Sequence, residues 1–130
     1  PEHAIQRLEA AHGPLTGETV AVLGAAYRGG VKETAFSGIF PLVQALRERG
    51  AVVLVNDPMY SDGELSGLGF TPFHFGEPAD AVVVQADHAE YRAIGASDVP
   101  GVRTVLDGRR ALEPSAWNVG AFVVIGRDCR

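Results

Sequence analysis

The chain has 130 residues, 46 % of them apolar and 21 % charged, with a net charge of -5. That length suits one domain with a real core, and that composition excludes chain-wide disorder. The acidic balance and the lack of a basic run exclude general nucleic-acid binding, while one local anion site stays compatible with them.

Residues 4–11 read as the end of a helix, with Ile5 and Leu8 on one face and Gly13-Pro14 as its stop. The piece is short for an independent helix and reads as the tail of something upstream. The N-terminal stretch PEHAIQRLEAAHG lacks a signal-peptide core, and no apolar run reaches the roughly 20 residues of a bilayer span. The first residue is Pro1 rather than Met, which points to a piece of a longer protein.

TVAVLG, residues 19–24, is β-branched and apolar without alternation, as expected for a strand buried on both faces. The glycine-rich segment AAYRGGVKETAF follows. SGIFPLVQALRERG then places Ile39, Leu42, Val43 and Leu46 at helical spacing, with Arg47 and Arg49 near the end and Gly50 as a C-terminal cap. Ser37 is a candidate N-cap. With that cap Pro41 is the fourth helical residue and removes an early hydrogen bond, unless the helix starts later.

AVVLVND, residues 51–57, is the second strand. Residues 61–68 form a short helix starting near Ser61 or Asp62, and FTPFHF holds a brief third strand that Pro72 confines to an edge. ADAVVVQA, residues 79–86, is a further strand, followed by a short helix over 87–95. VRTVLDG (102–108) and AFVVIG (121–126) are the last two strands, separated by a loop or single helical turn over 110–116. Alternating elements with parallel-type strands predict an α/β fold: a Rossmann-like, doubly wound, mainly parallel sheet of five to six strands. In such sheets ligands sit beyond the carboxyl ends of the strands, here segments 24–32, 57–60, 86–91 and 107–110.

Each of these segments has a chemical reading and a plainer one. The first strand's turn lacks G-x-G-x-x-G, since Gly24 is followed by Ala25, Ala26, Tyr27, Arg28 and Gly29, which disfavours tight pyrophosphate packing. A phosphate loop fails too, because Gly30 stands where lysine belongs. Tyr27 and Arg28 pair an aromatic ring with a cation, suited either to a base and phosphate or to a solvated loop. Asp57 before Pro58 is either a ribose acceptor or, more commonly, a turn starter. Asp107, Gly108, Arg109 and Arg110 offer either bidentate phosphate contact or a charged turn. His3, His12, His74 and His88 show no metal-ligand spacing, so no metal site is expected. No Ser-His-Asp set can be argued. The one cysteine, Cys129, can form no internal disulfide, fits a reducing compartment and reads as a tail residue.

Taken in order, these segments resemble one family, the C-terminal UDP-binding domain of the UDP-glucose and GDP-mannose dehydrogenases. Its pattern of a strand ending in glycine, a small residue or two, Phe/Tyr-Lys, an acidic stretch, Arg-x-Ser-Pro and a helix is matched by LGAAYRGGVKETAFSG. Its Arg-Gly-Ala-x-Val-x-x-x-Asp-Pro is matched by residues 49–58, with Tyr60 just beyond. Its Ala-Asp-Ala-x-Val-x-x-Thr is ADAVVVQA, and its following aromatic is Tyr91. Its Asp-Gly-Arg is residues 107–109, and its Tyr-x-x-Ile-Gly is FVVIG, residues 122–126. The likeness covers about residues 17–127.

The resemblance implies an NAD-dependent enzyme that oxidises a sugar-nucleotide C6 alcohol to a carboxylate in two steps, as in polysaccharide biosynthesis. It implies that NAD and the catalytic cysteine and lysine belong to parts upstream, so this chain holds no catalytic residue and no catalysis is expected from it alone. It implies residues 1–16 as the tail of an inter-domain linker helix and 17–130 as the nucleotide-sugar-binding domain of a cytoplasmic homo-oligomer. By the motif match, Tyr27, Arg28, Glu33, Tyr60, Asp107 and Arg109 are the substrate-binding candidates, with a UDP-sugar or related nucleotide-sugar as partner. Several positions depart from the family pattern. Arg28 replaces lysine, Lys32-Glu33 an acidic pair, Ala35 arginine, Ser37-Gly38 Ser-Pro, and Ala86 threonine. Two rival readings follow: a degenerate structural or oligomerisation domain that no longer binds nucleotide, and a free-standing NAD binder, which the missing glycine fingerprint disfavours.

Overall fold

The computed structural model describes residues 2–26, 28–34 and 37–124. Six strands, β1 (Thr19–Leu23), β2 (Val52–Asn56), β3 (Thr71–Pro72), β4 (Ala81–Val84), β5 (Thr104–Asp107) and β6 (Ala121–Val124), form one sheet in the order β3-β2-β1-β4-β5-β6. Every pairing is parallel, where the sequence predicts only a mainly parallel sheet. Pro72 lies on the edge strand, where its missing N–H costs no ladder bond. The order reverses between β1 and β4, the switch point at which doubly wound sheets open a crevice.

Three α-helices accompany the sheet: α1 (Glu2–His12), α2 (Ile39–Glu48) and α3 (Asp62–Gly67). They cover one face. Ile5 and Leu8 of α1, Ile39, Leu42, Val43 and Leu46 of α2, and Leu65 of α3 join Val20, Val22, Val53, Val55, Ala81, Val83 and Leu106 in one core cluster. The alternate strand residues Ala21, Leu23, Val82, Val84 and Val105 face a second cluster with Phe73, Tyr91, Leu112 and Trp117. This second face carries 3-10 turns at Ala89–Ala93, Ala96–Asp98 and Pro114–Ala116 instead of helices. The short helix expected over 87–95 is therefore a 3-10 turn. Gly95, Pro100, Gly101 and Pro114 interrupt these connections before an α-helix can propagate. Each fully buried aliphatic side chain contributes about 1.5–3 kcal/mol.

The helix ends follow their local chemistry. Ser61 and Glu64 close a capping box at the start of α3. α2 begins one residue later than a Ser37 cap would place it. Gly38 is its N-cap, so Pro41 is the third helical residue and lies in the first turn, where its N–H is dispensable. Ser37 still accepts from the Ile39 N–H at 3.1 Å, and its hydroxyl donates to the Ala25 carbonyl at 2.8 Å. At the other end Gly50 N–H reaches Arg47 O and Ala51 N–H reaches Leu46 O, satisfying the last carbonyls.

α1 is anchored as well as packed. Its His12 side chain, 1 % exposed, bridges Thr104 Oγ1 at 2.7 Å and Glu18 Oε1 at 2.8 Å. Arg49, at the end of α2, pairs with both Glu2 and Glu9. Among the described residues no helix is long and apolar enough to cross a membrane.

Candidate functional site

The strand register sets the site. Asn56, Leu23, Val84, Asp107 and Val124 are aligned partners across the sheet, so β2, β1, β4, β5 and β6 all end level. The four segments expected at the carboxyl edge are thereby brought to one rim.

The turn after β1 is pressed onto the exit of β4. A Cβ on Gly24 (φ +99) would stand 2.5 Å from Ala86 Cβ, and one on Gly29 would stand 2.2 Å from the Asp87 carbonyl oxygen. Only glycine permits this approach. Side chains from the neighbouring exits then take up the turn's backbone groups. Asp57, 3 % exposed, accepts from Ala25 N–H at 2.8 Å and Ala26 N–H at 3.2 Å through Oδ2, and from Met59 N–H at 2.8 Å through Oδ1. Gln85 donates through Nε2 to the carbonyls of Gly24 (2.7 Å) and Ala26 (2.8 Å). Asp87 accepts from Gly29 N–H at 2.6 Å.

His88 completes the clamp. Its Nδ1 accepts from Gly30 N–H at 3.0 Å and its Nε2 lies 2.8 Å from Asp57 Oδ2. Because a backbone N–H can only donate, Nδ1 is the unprotonated nitrogen and Nε2–H donates to the carboxylate. Tyr91 packs edge-on to this imidazole, with ring centroids 5.6 Å apart. Its hydroxyl donates toward Asn56, and burial, helped by the nearby Asp57 charge, raises its pKa far above the usual phenol range.

In a dinucleotide-binding turn the first amides face a pyrophosphate. Here the Asp57 carboxylate occupies that position, so this turn does not fit NAD. Asp57 thus follows the turn-forming reading, with its carboxylate engaged inside the protein and not turned toward a ribose.

A groove of about 270 Å³ opens beside this clamp. Ala4, Leu42, Val83, Val84 and Leu106 give it aliphatic walls. Gly38 at the N-terminus of α2, Gln85, Gly108 and the exposed Arg109 complete it. Asp107, 1 % exposed, orders the turn carrying that arginine: its carboxylate accepts from the N–H groups of Arg109, Ala111 and Leu112 at 3.0–3.1 Å. A larger groove of about 550 Å³ lies between α2 and residues 68–70, lined by Phe40, Arg47 and Phe70 among others. It touches none of the loops after β1, β4 or β5, and the smaller groove is the better candidate.

The expected site residues divide into groups. Arg109 lines the groove, and Asp107 holds its turn. Arg28 is exposed on the clamped turn, and Tyr27, Ala35 and Cys129 lie outside the described residues. Glu33 and Tyr60 stand apart, on the β2 side. There Lys32 sits 5.4 Å from the Tyr60 ring centroid and pairs with Glu64, and Tyr60 hydrogen-bonds to Thr34. Burial, with the Asp57 charge, raises the Tyr60 pKa. Gln85, Asp87 and His88 were not among the expected site residues. No motif marks them, because their roles come from the contact between the β1 and β4 exits. Among the described residues no group of three or more His, Cys, Asp or Glu could hold a metal ion.

Residues 21–114 match the UDP-glucose/GDP-mannose dehydrogenase family, UDP binding domain. The chain belongs to this family. The domain is 29 % identical over 113 residues to the UDP-N-acetyl-D-mannosamine dehydrogenase of Methanococcus maripaludis, an alignment covering 81 % of this chain and 26 % of that protein. Its fold matches the UDP-N-acetyl-mannosamine dehydrogenase of Staphylococcus aureus with a TM-score of 0.76 at 19 % identity, over 99 % of this chain and 31 % of that one. It also matches an NDP-N-acetyl-D-galactosaminuronic acid dehydrogenase from Methanosarcina mazei with a TM-score of 0.64 at 22 % identity, over 96 % and 27 % of the two chains. The domain thus spans about a quarter to a third of the length of these relatives.

Proposed function

We propose that this domain binds the nucleotide part of a UDP-sugar for an NAD-dependent 6-dehydrogenase that converts the C6 alcohol to a carboxylate. The carrying observation is the groove under Arg109, beside the β1/β4 switch point. Its aliphatic walls suit a flat base, and the exposed guanidinium at its rim suits the diphosphate. Arg28, with Tyr27 beside it in sequence, lies on the neighbouring turn and is a second candidate contact. Asp107 acts as a positioning residue for Arg109. Glu33 and Tyr60 belong to the β2 side and serve a ligand only if it extends there.

The NAD site, the reactive residues and the oxidation belong to an upstream catalytic part of a longer, cytoplasmic, homo-oligomeric chain, and α1 is the end of the helix leading from it. This domain supplies binding and orientation, with no catalysis of its own. The Asp57 carboxylate on the amides of Ala25 and Ala26 supports placing NAD elsewhere.

The same observation favours one alternative, a structural domain in which the clamped turn stabilises the fold and no nucleotide binds. Calorimetric titration with UDP, GDP and NADH separates the two. Saturable binding of UDP or GDP with none of NADH is expected. No binding of any nucleotide supports the structural domain.

A further inference from the structure

Gln85 is a residue to which the family pattern gives no role. It is 9 % exposed and lines the groove under Arg109. Both of its Nε2 contacts, at 2.7 and 2.8 Å, are backbone carbonyls of the turn after β1. Carbonyls only accept, so both amide hydrogens are committed and the side chain cannot flip. Its oxygen is therefore fixed as an acceptor. That oxygen lies toward Gly38, where it is the nearest atom, 3.7 Å from the place a Cβ would take. Gly38 lines the same groove.

A fixed acceptor beside the aliphatic walls of this groove selects a ligand that brings a donor to it, since an unmatched polar group is costly there. The walls of Leu42, Val83 and Leu106 suit a flat heterocycle better than a sugar with several hydroxyls. Building on the uridine-nucleotide reading above, we propose that Gln85 is a specificity-determining residue whose Oε1 accepts the imide N3–H of uracil. The base lies against the aliphatic walls and the diphosphate points out toward Arg109. The small side chain of Ala86, packed against Gly24, leaves Gln85 as the polar side chain at this exit that faces the groove.

The test compares UDP with N3-methyl-UDP, which lacks the donor, on the 130-residue chain and its Gln85→Leu variant. Leucine keeps the bulk and removes the acceptor together with both donors to the turn after β1. The wild-type chain is expected to bind UDP about tenfold or more tightly than N3-methyl-UDP. Gln85→Leu is expected to abolish that preference, bringing the ratio of the two affinities to within about twofold of one, whatever the lost contacts to the turn cost both ligands alike. If the wild-type chain binds the two ligands equally, or the variant retains the wild-type preference, the role of Gln85 is overturned while the uridine reading stands. If the wild-type chain binds neither ligand, the reading beneath it is overturned and this proposal with it.

Discussion

His88 and Asp57 meet through a 2.8 Å hydrogen bond from Nε2–H to Oδ2, with both side chains fully buried. The pair links the exits of β4 and β2 across the end of β1, and each partner also holds backbone of the intervening turn. Replacing His88 with Phe keeps the ring against Tyr91 but strands Gly30 N–H and removes one donor to a buried carboxylate. A loss of about 2–4 kcal/mol is expected, read as a lower urea midpoint at unchanged slope. A variant within about 0.5 kcal/mol of wild type would show that the pair holds nothing together.

Gly24→Ala tests the close approach of β1 and β4. The added methyl meets both the side chain and the backbone of Ala86 in a left-handed conformation. A cost of at least about 2 kcal/mol is expected in the same denaturation assay, against about 0.5–1 kcal/mol of gain where alanine fits a glycine site without strain.

Much of this architecture was legible in the residues. β-branched runs such as Val20 to Leu23 and Ala81 to Val84 marked strands buried on both faces, and the Asp-Gly-Arg segment led to Arg109. Other features depended on tertiary context. Asp57 read as a turn starter because Pro58 follows it, and nothing in sequence told that its carboxylate would also take two amides from the turn after β1. His88 carried no spacing signal, since its partners Gly30 and Asp57 are distant in the chain. Glu33 and Tyr60 entered with the family motif, yet the loop carrying Glu33 turns toward α3, where Lys32 meets Glu64.

Arg110 holds φ +55, the one left-handed non-glycine residue among those described. Asparagine tolerates that conformation better than arginine. Arg110→Asn relieves about 0.5–1 kcal/mol of backbone strain, keeps the Arg92 bond to the carbonyl of residue 110 and gives up the contacts of the arginine side chain; a higher melting temperature shows that the strain is the larger of the two. A lower melting temperature would assign the arginine side chain a stabilising contact larger than the strain.

His74 hydrogen-bonds to Asp62 at the start of α3, and that bond, with the Asp62 charge, raises its pKa above 6.5. Since the folded value exceeds the unfolded one, the stabilisation is fully present below about pH 6.5 and is lost as pH rises through the folded value. An NMR titration of the His74 ring is expected to show a midpoint above 6.5 that moves down in Asp62→Asn. A midpoint indifferent to Asp62 would break the assignment.

The groove under Arg109 is the proposed seat of a uridine nucleotide. An amide-shift titration of the isotope-labelled chain with UDP tests it directly. Saturable shifts concentrated at Gly38, Gln85, Gly108 and Arg109 are expected, with affinity weakened about tenfold or more in Arg109→Ala. Shifts centred on the Phe40–Phe70 groove, or binding indifferent to Arg109, would contradict it.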